Sequence, residues 1–180
     1  RFEYESIRVN PADIFELGYD RRTYQFLENF DVNTGPATRF SPAESDLGQY
    51  NIASVKMQFN GLQQNASYRL HILENGEDDN TPGEIIISQD VNVTPQESIP
   101  NWHTVMLYEH EELRNREGDF WAWVEILADD GRPQIVYDIQ RDEGSHFFSY
   151  DGQNAVPYRG DFMMHAVVVP EAVESPMLTA

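Results

Sequence analysis

Residues 118–127 read Gly118-Asp119-Phe120-Trp121-Ala122-Trp123-Val124-Glu125-Ile126-Leu127. In an extended chain, successive side chains point to opposite sides. Phe120, Ala122, Val124 and Ile126 then share one face, and Trp121, Trp123, Glu125 and Leu127 share the other. A period of two separates these sets cleanly, and a period of 3.6 would mix them, so the stretch reads as a strand. Gly118-Asp119 supplies the turn that precedes it, because Gly accepts unusual φ and Asp hydrogen-bonds local backbone. Asp129-Asp130-Gly131 closes it.

The same reading extends outward. Upstream, Ile52, Val55, Met57 and Phe59 run into Asn60-Gly61, a turn pair. Tyr68, Leu70 and Ile72 alternate with Arg69, His71 and Leu73. Glu84-Ile85-Ile86-Ile87-Ser88 follows Pro82-Gly83, where Pro fixes φ and Gly is expected to take a positive one. Trp102, Thr104, Met106 and Tyr108 alternate with His103, Val105 and Leu107. Downstream come Ile135-Val136-Tyr137, Phe147-Phe148-Ser149-Tyr150 and the run 162–169, parted by Asp151-Gly152 and Arg159-Gly160. Residues 15–19 and 37–40 are further short strands near the start. About ten short strands with regular turn chemistry predict an all-β fold, a jelly-roll-like antiparallel β-sandwich. Residues 110–116 have helical composition but suffice for a turn or two. Trp102, Phe120 and Phe162 are expected core anchors, each contributing about 2–3 kcal/mol by burial. The sandwich is expected over 14–169, with 1–13 a linker or added edge strand and 170–180 a linker or tail.

Composition narrows the function classes. The chain has 180 residues, 31 Asp+Glu against 12 Lys+Arg, and a formal net charge of -19. Lys56 is the single lysine. Such a surface repels nucleic acid and anionic membranes. Acid in excess, with arginine in place of lysine, holds water and points to a salt-adapted, extracellular setting. Apolar residues at 40% suffice for a core. No cysteine is present, which excludes disulfides and thiolate metal sites. No apolar run approaches the ~18 residues of a membrane span, so membrane insertion is not expected.

Catalytic motifs are few. His110-Glu111-Glu112-Leu113-Arg114 approaches H-E-x-x-H, but Arg114 stands where the second zinc ligand is needed. No G-x-S-x-G and no phosphate-cradling glycine loop occurs. Paired carboxylates for glycoside hydrolysis require a spatial separation that sequence does not give. The reading is therefore non-catalytic, with no cofactor required. Calcium is the ion the sequence could hold, through loop oxygens. The candidates are Glu77, Asp78, Asp79 and Asn80 in one loop, and Asp31 and Asn33 near Gly35 in another; each also reads as a solvated turn. Glycan binding needs exposed aromatic platforms. Trp121 and Trp123 would form one if the Phe120 side is the core, with Tyr150, Tyr158 and Tyr24 as companions; a covered, structural role for the pair is the alternative.

The collinear blocks resemble a known family. They are Leu17-Gly18-Tyr19-Asp20, Ala37-Thr38-Arg39-Phe40-Ser41-Pro42, Pro82-Gly83-Glu84-Ile85-Ile86 and Trp102-His103-Thr104-Val105-Met106-Leu107. Gly118-Asp119-Phe120-Trp121-Ala122-Trp123-Val124, Tyr137-Asp138, Phe147-Phe148-Ser149-Tyr150-Asp151-Gly152 and Gly160-Asp161-Phe162-Met163-Met164-His165-Ala166 follow. Together they are similar to the β-sandwich accessory domains of secreted and surface-anchored bacterial proteins, which often precede a C-terminal sorting domain. His165 departs from the arginine common there. The resemblance implies a jelly-roll-like sandwich, secretion to the extracellular space or cell surface, and no chemistry of its own. The expected role is a spacer, adhesive or assembly unit whose partners are other domains of a larger surface protein or a surface assembly. A carbohydrate-binding module and a fibre subunit joined by strand addition are the alternatives.

Overall fold

The computed structural model describes residues 14–19, 25–42, 47–60, 66–93, 101–128, 133–138 and 146–171. Thirteen strands follow one another in these residues. The first seven are β1 (Phe15–Leu17), β2 (Gln25–Glu28), β3 (Gly35–Phe40), β4 (Tyr50–Phe59), β5 (Ala66–Asn75), β6 (Pro82–Val93) and β7 (Asn101–Met106). The rest are β8 (Phe120–Ile126), β9 (Ile135–Asp138), β10 (Phe147–Tyr150), β11 (Ala155–Pro157), β12 (Asp161–Phe162) and β13 (Met164–Pro170). Residues 110–116 contribute a single 3-10 turn, Glu111–Leu113, whose Leu113 is buried.

Two antiparallel sheets face each other. The first, sheet A, runs β1-β13-β4-β9-β12, with β2 also on β9 and β7 also on β4. The second, sheet B, runs β11-β10-β3-β8-β5-β6. Most sheet neighbours are not sequence neighbours, and the chain passes from sheet to sheet at eight of its twelve connections; β5–β6 and β10–β11 are hairpins. This is the all-β sandwich that the turn rhythm predicts.

The space between the sheets is filled by alternate residues. Sheet A contributes Ile52, Val55, Met57, Phe59, Ala166 and Val168; sheet B contributes Phe40, Tyr68, Leu70, Ile72, Phe120 and Val124. Rings meet edge-on or tilted, as with Phe59–Tyr68 at 5.4 Å and Phe147–Phe162 at 6.1 Å. Gly118 (φ 73) and Gly160 (φ 147) adopt the positive φ expected of a turn before an aromatic strand.

Three expectations are corrected. Trp102 is not a core anchor: it lies outside sheet A, half-buried, with its ring over Lys56 at 4.9 Å and beside His165 at 4.6 Å. Gly83 is absent from the positive-φ residues, and its constraint is space: a Cβ there would lie 2.9 Å from the Asn75 carbonyl. β2 and β11 were not expected. β2 exposes Phe26 and Leu27, and β11 is an edge strand ending in proline, so neither shows the alternation of a half-buried strand. Of the expected termini, 1–13 and 172–180 lie outside the described residues; the Glu171 N–H donates to the Gln49 carbonyl at 3.1 Å, just beyond the end of β13, where Pro170 lies opposite Tyr50.

Candidate functional site

The outer face of sheet B carries the expected aromatic platform, but closed. Trp121 and Trp123 do point away from the inter-sheet core, as the Phe120 face assignment requires. They are nevertheless 0% and 4% exposed. Phe148 packs on Trp121 at 4.7 Å, and Tyr150 meets Trp123 edge-on at 4.8 Å. The Trp121 indole N–H donates to Asn75 Oδ1 at 2.9 Å. Arg39, opposite Trp121, donates to the Asp79 carbonyl, so the β5–β6 hairpin is tied across this side. An open tryptophan pair is thus replaced by a second aromatic layer that also contains Ala37 and Leu73. Tyr150 belongs to that layer. Tyr158 does not: it packs with Phe30, Tyr137 and Phe162 and donates its hydroxyl to Glu28 Oε2 at 2.5 Å. Burial, then the Glu28 carboxylate, pushes the Tyr158 phenol far above its ordinary pKa. Tyr24 lies outside the described residues.

Beside this layer runs a polar network that sequence reading missed. His71 stacks on Trp123 at 4.4 Å with planes 16° apart. Its Nδ1 lies 2.7 Å from Ser88 Oγ and its Nε2 2.7 Å from Glu125 Oε2. Burial lowers the His71 pKa, with the Glu125 hydrogen bond opposing it. A neutral ring donates Nε2–H to Glu125 and accepts the Ser88 hydroxyl at Nδ1. The order serine, histidine, carboxylate is that of a nucleophilic triad. Acyl transfer also needs N–H groups aimed at a developing oxyanion. Ser88 sits inside the regular β5–β6 ladder, opposite His71, rather than on a turn presenting adjacent N–H groups. The network instead joins three neighbouring strands through cross-strand pairs, extended by Arg69 to Asp90 at 2.6 Å. The only sequence signal for it is the alternation that puts Arg69, His71 and Leu73 on one face.

The loop carboxylates occupy exposed turns. Around 76–81, the Asp78 carbonyl accepts both the Thr81 N–H and the Thr81 hydroxyl at 3.0 Å. Asn75 Nδ2 reaches Asp79 Oδ1 at 3.5 Å. The Asp79 carbonyl, an oxygen that calcium could use, is bonded by the Arg39 guanidinium. The Asp31 carbonyl accepts the Thr34 N–H at 3.1 Å and its hydroxyl at 2.8 Å, and Asn33 takes a φ of 64. Among the described residues, no three His, Cys, Asp or Glu side chains converge in a way that could hold a metal ion. Asp31 and Asn33 lie more than forty residues before the other loop in sequence, and the two sets form separate turns.

Outside sheet A the single lysine anchors an edge strand. Lys56 Nζ and His165 Nδ1 both donate to Glu16 Oε1, at 2.6 Å and 2.5 Å. Burial alone would raise the Glu16 pKa, but these two hydrogen bonds and the lysine charge hold it below the ordinary value. β1 is thereby pinned to β13 and β4.

A cleft of about 260 Å³ opens at the rim of the same sheet. Its floor is the start of β4 (Asn51, Ala53) and the end of β13 (Val169); its walls are Tyr108, His110 and Arg114. The walls are held in place from both ends. The Leu107 N–H donates to the Ala53 carbonyl at 2.9 Å, and the Asn115 N–H to Asn51 Oδ1 at 2.9 Å. His110 and Arg114 of the failed metal motif therefore line a cleft of mixed polar and apolar character. Its members are distant in sequence, and nothing in the local pattern unites them.

The fold defines the class: a two-sheet antiparallel β-sandwich domain. No family model matches the chain, and no curated protein matches it. Solved structures do match it, and two are similar over most of the chain. One is the Clostridial cysteine protease Cwp84 after propeptide cleavage, with a TM-score of 0.58, 12% identity, and coverage of 89% of this chain and 41% of that one. The other holds the cysteine protease and lectin-like domains of Cwp84, a surface layer associated protein of Clostridium difficile. It aligns with a TM-score of 0.56 and 12% identity over 89% of this chain and 37% of that one. The likeness is one of fold, and the chain spans about two fifths of the proteins it matches.

Proposed function

We propose that this chain is a non-catalytic β-sandwich module of a larger extracellular surface protein, serving as its spacer, adhesive or assembly unit. The observation that carries the reading is the match of nearly the whole chain to part of a surface-layer protein. That protein's name includes a cysteine protease, whereas this chain has no cysteine to serve as its nucleophile. The matched part is accordingly read as its lectin-like rather than its protease portion. The acidic coat fits such a setting by keeping the module hydrated in salt. The test is protease shaving of intact source cells with mass spectrometry of the released peptides. Peptides from 14–171 released before lysis support the reading; their appearance only after lysis sinks it.

A second reading, a subunit joined by strand addition, is favoured by β6. This strand spans Pro82–Val93 at the end of sheet B and exposes Ile85 by 52%. An edge of that length offers a ladder of unpaired backbone groups to a partner strand. Light scattering during gel filtration tests it: a strict monomer at millimolar concentration, with no partner in native pull-downs, counts against it.

A further inference from the structure

The cleft under Tyr108 and Arg114 has the chemistry of a ligand site, and its charge pattern says which kind. Lys56, Arg39, Arg69 and Arg116 each lie within 4.0 Å of a carboxylate. Among the described residues Arg114 and Arg159 form no such pair. Arg114 makes only a long bond, 3.5 Å from Nη2 to the Tyr108 carbonyl. This is unexpected in a chain of net charge -19, with Glu109, Glu111 and Glu112 on the same segment. The 3-10 turn carries those acids to exposed positions while Arg114 lines the cleft.

The remaining lining groups are the Asn51 amide, the His110 ring, the Tyr108 ring and the apolar Ile52, Ala53 and Val169. Asn51 spends its Oδ1 on the Asn115 N–H, which leaves its amide N–H groups available. The His110 Nε2–H donates to Gln89 Oε1 at 2.9 Å, which leaves Nδ1 of the neutral ring as an acceptor. The Tyr108 ring is 61% exposed and offers an apolar face. A guanidinium with no carboxylate partner, beside the Asn51 amide, suits a ligand carboxylate, which arginine binds through two parallel hydrogen bonds, and the His110 acceptor suits a ligand hydroxyl. An exposed aromatic ring beside it suits the C–H face of a sugar. The volume lies just under the ~300 Å³ at which drug-sized pockets begin, so it fits one sugar unit.

We propose that this cleft binds a carboxylate-bearing sugar unit, a hexuronate or its equivalent, with Arg114 on the carboxylate and Tyr108 beneath the ring. The inference rests on the surface-module reading only for where such a sugar would be met; the site's chemistry stands on its own residues.

The experiment is an NMR titration of the full chain with methyl glucuronide, with methyl glucoside and acetate in parallel. Saturable shifts centred on Asn51, Tyr108 and Arg114 are expected with the glucuronide. Glucoside and acetate should each bind at least about tenfold more weakly, the loss of a charge-assisted pair or of the ring contact. Arg114→Ala and Tyr108→Ala should each weaken the glucuronide response, while Arg159→Ala, the other unpaired arginine, leaves it unchanged. All three side chains are on the surface, and unshifted core resonances will confirm the fold. Equal binding of glucoside, equal binding of acetate, an equal loss in Arg159→Ala, or no saturable shift overturns the proposal. None of these outcomes touches the surface-module reading, which the shaving experiment decides separately.

Discussion

On the outer face of sheet B, Trp121 and Trp123 are sealed beneath Phe148, Tyr150 and the tied β5–β6 hairpin, whereas on the outer face of sheet A, Trp102 lies half open over Lys56. Both faces point away from the same core, and both carry tryptophan. They differ in what crosses them. Sheet B is crossed by a hairpin with an arginine clamp, sheet A by ion-paired side chains and a rim segment that leaves a cleft. A tryptophan on a strand's outer side therefore says little about exposure until the crossing elements are known.

The comparison can be broken most severely at Gly35, where β3 meets β8. A Cβ there would land on the Val124 carbonyl, a backbone atom that cannot step aside. Gly35→Ala is expected to cost more than about 3 kcal/mol, or to prevent folding, through forced displacement of packed backbone. A substitution tolerated with an unchanged urea midpoint would contradict the close packing of β3 on β8. Next, Trp121→Ala should cost about 3–5 kcal/mol, the cost of emptying a buried aromatic site. Trp102→Ala should cost about 1–2 kcal/mol, because only part of its surface is removed from water. Equal losses in urea denaturation would erase the difference between the two faces.

Acid separates His71 on sheet B and His103, which meets Tyr68 at 3.1 Å in the core, from the Glu16 pairs on sheet A. The folded-state pKa values of His71 and His103 are lowered, by burial above all. The unfolded chain then binds those protons more readily, so their stabilisation is present above about pH 6.5 and is lost as pH falls through the lowered values. Glu16 is also lowered, so its share is present above about pH 4.3 and is lost at more acidic pH. Stability should decline in two stages, first from His71 and His103 and then from the Glu16 pairs on the outer side of sheet A. His71→Gln should flatten the first stage and leave the second; an unchanged first stage would remove His71 from the account. The smallest effect expected is that of salt: raising NaCl should increase the melting temperature modestly by screening self-repulsion. A flat or falling response would contradict the salt-adapted reading of the charge.

Much of the fold was legible because it depends on period-two alternation and turn residues, which are local. The β8 pattern separates Phe120, Ala122 and Val124 from Trp121 and Trp123 directly from spacing, and the structure turns the first set to the core. Burial of Trp121 and Trp123 was not legible, since it depends on Arg39 in β3 and Asn75 at the end of β5, both distant in sequence. The cleft was hidden for the same reason: Asn51, Tyr108, Arg114 and Val169 meet only after β4, β13 and the 107–115 segment are assembled. Trp102 misled because a large aromatic in an alternating strand reads as core, and the choice between its two faces is made by the Lys56 and His165 side chains across the ladder.

The most direct test of the closed aromatic layer is acrylamide quenching of tryptophan fluorescence in a Trp102→Phe variant, which leaves only Trp121 and Trp123. Blue-shifted emission and a quenching slope far below that of the unfolded chain are predicted. Emission near that of tryptophan in water, quenched as readily folded as unfolded, would show an open pair and contradict the account.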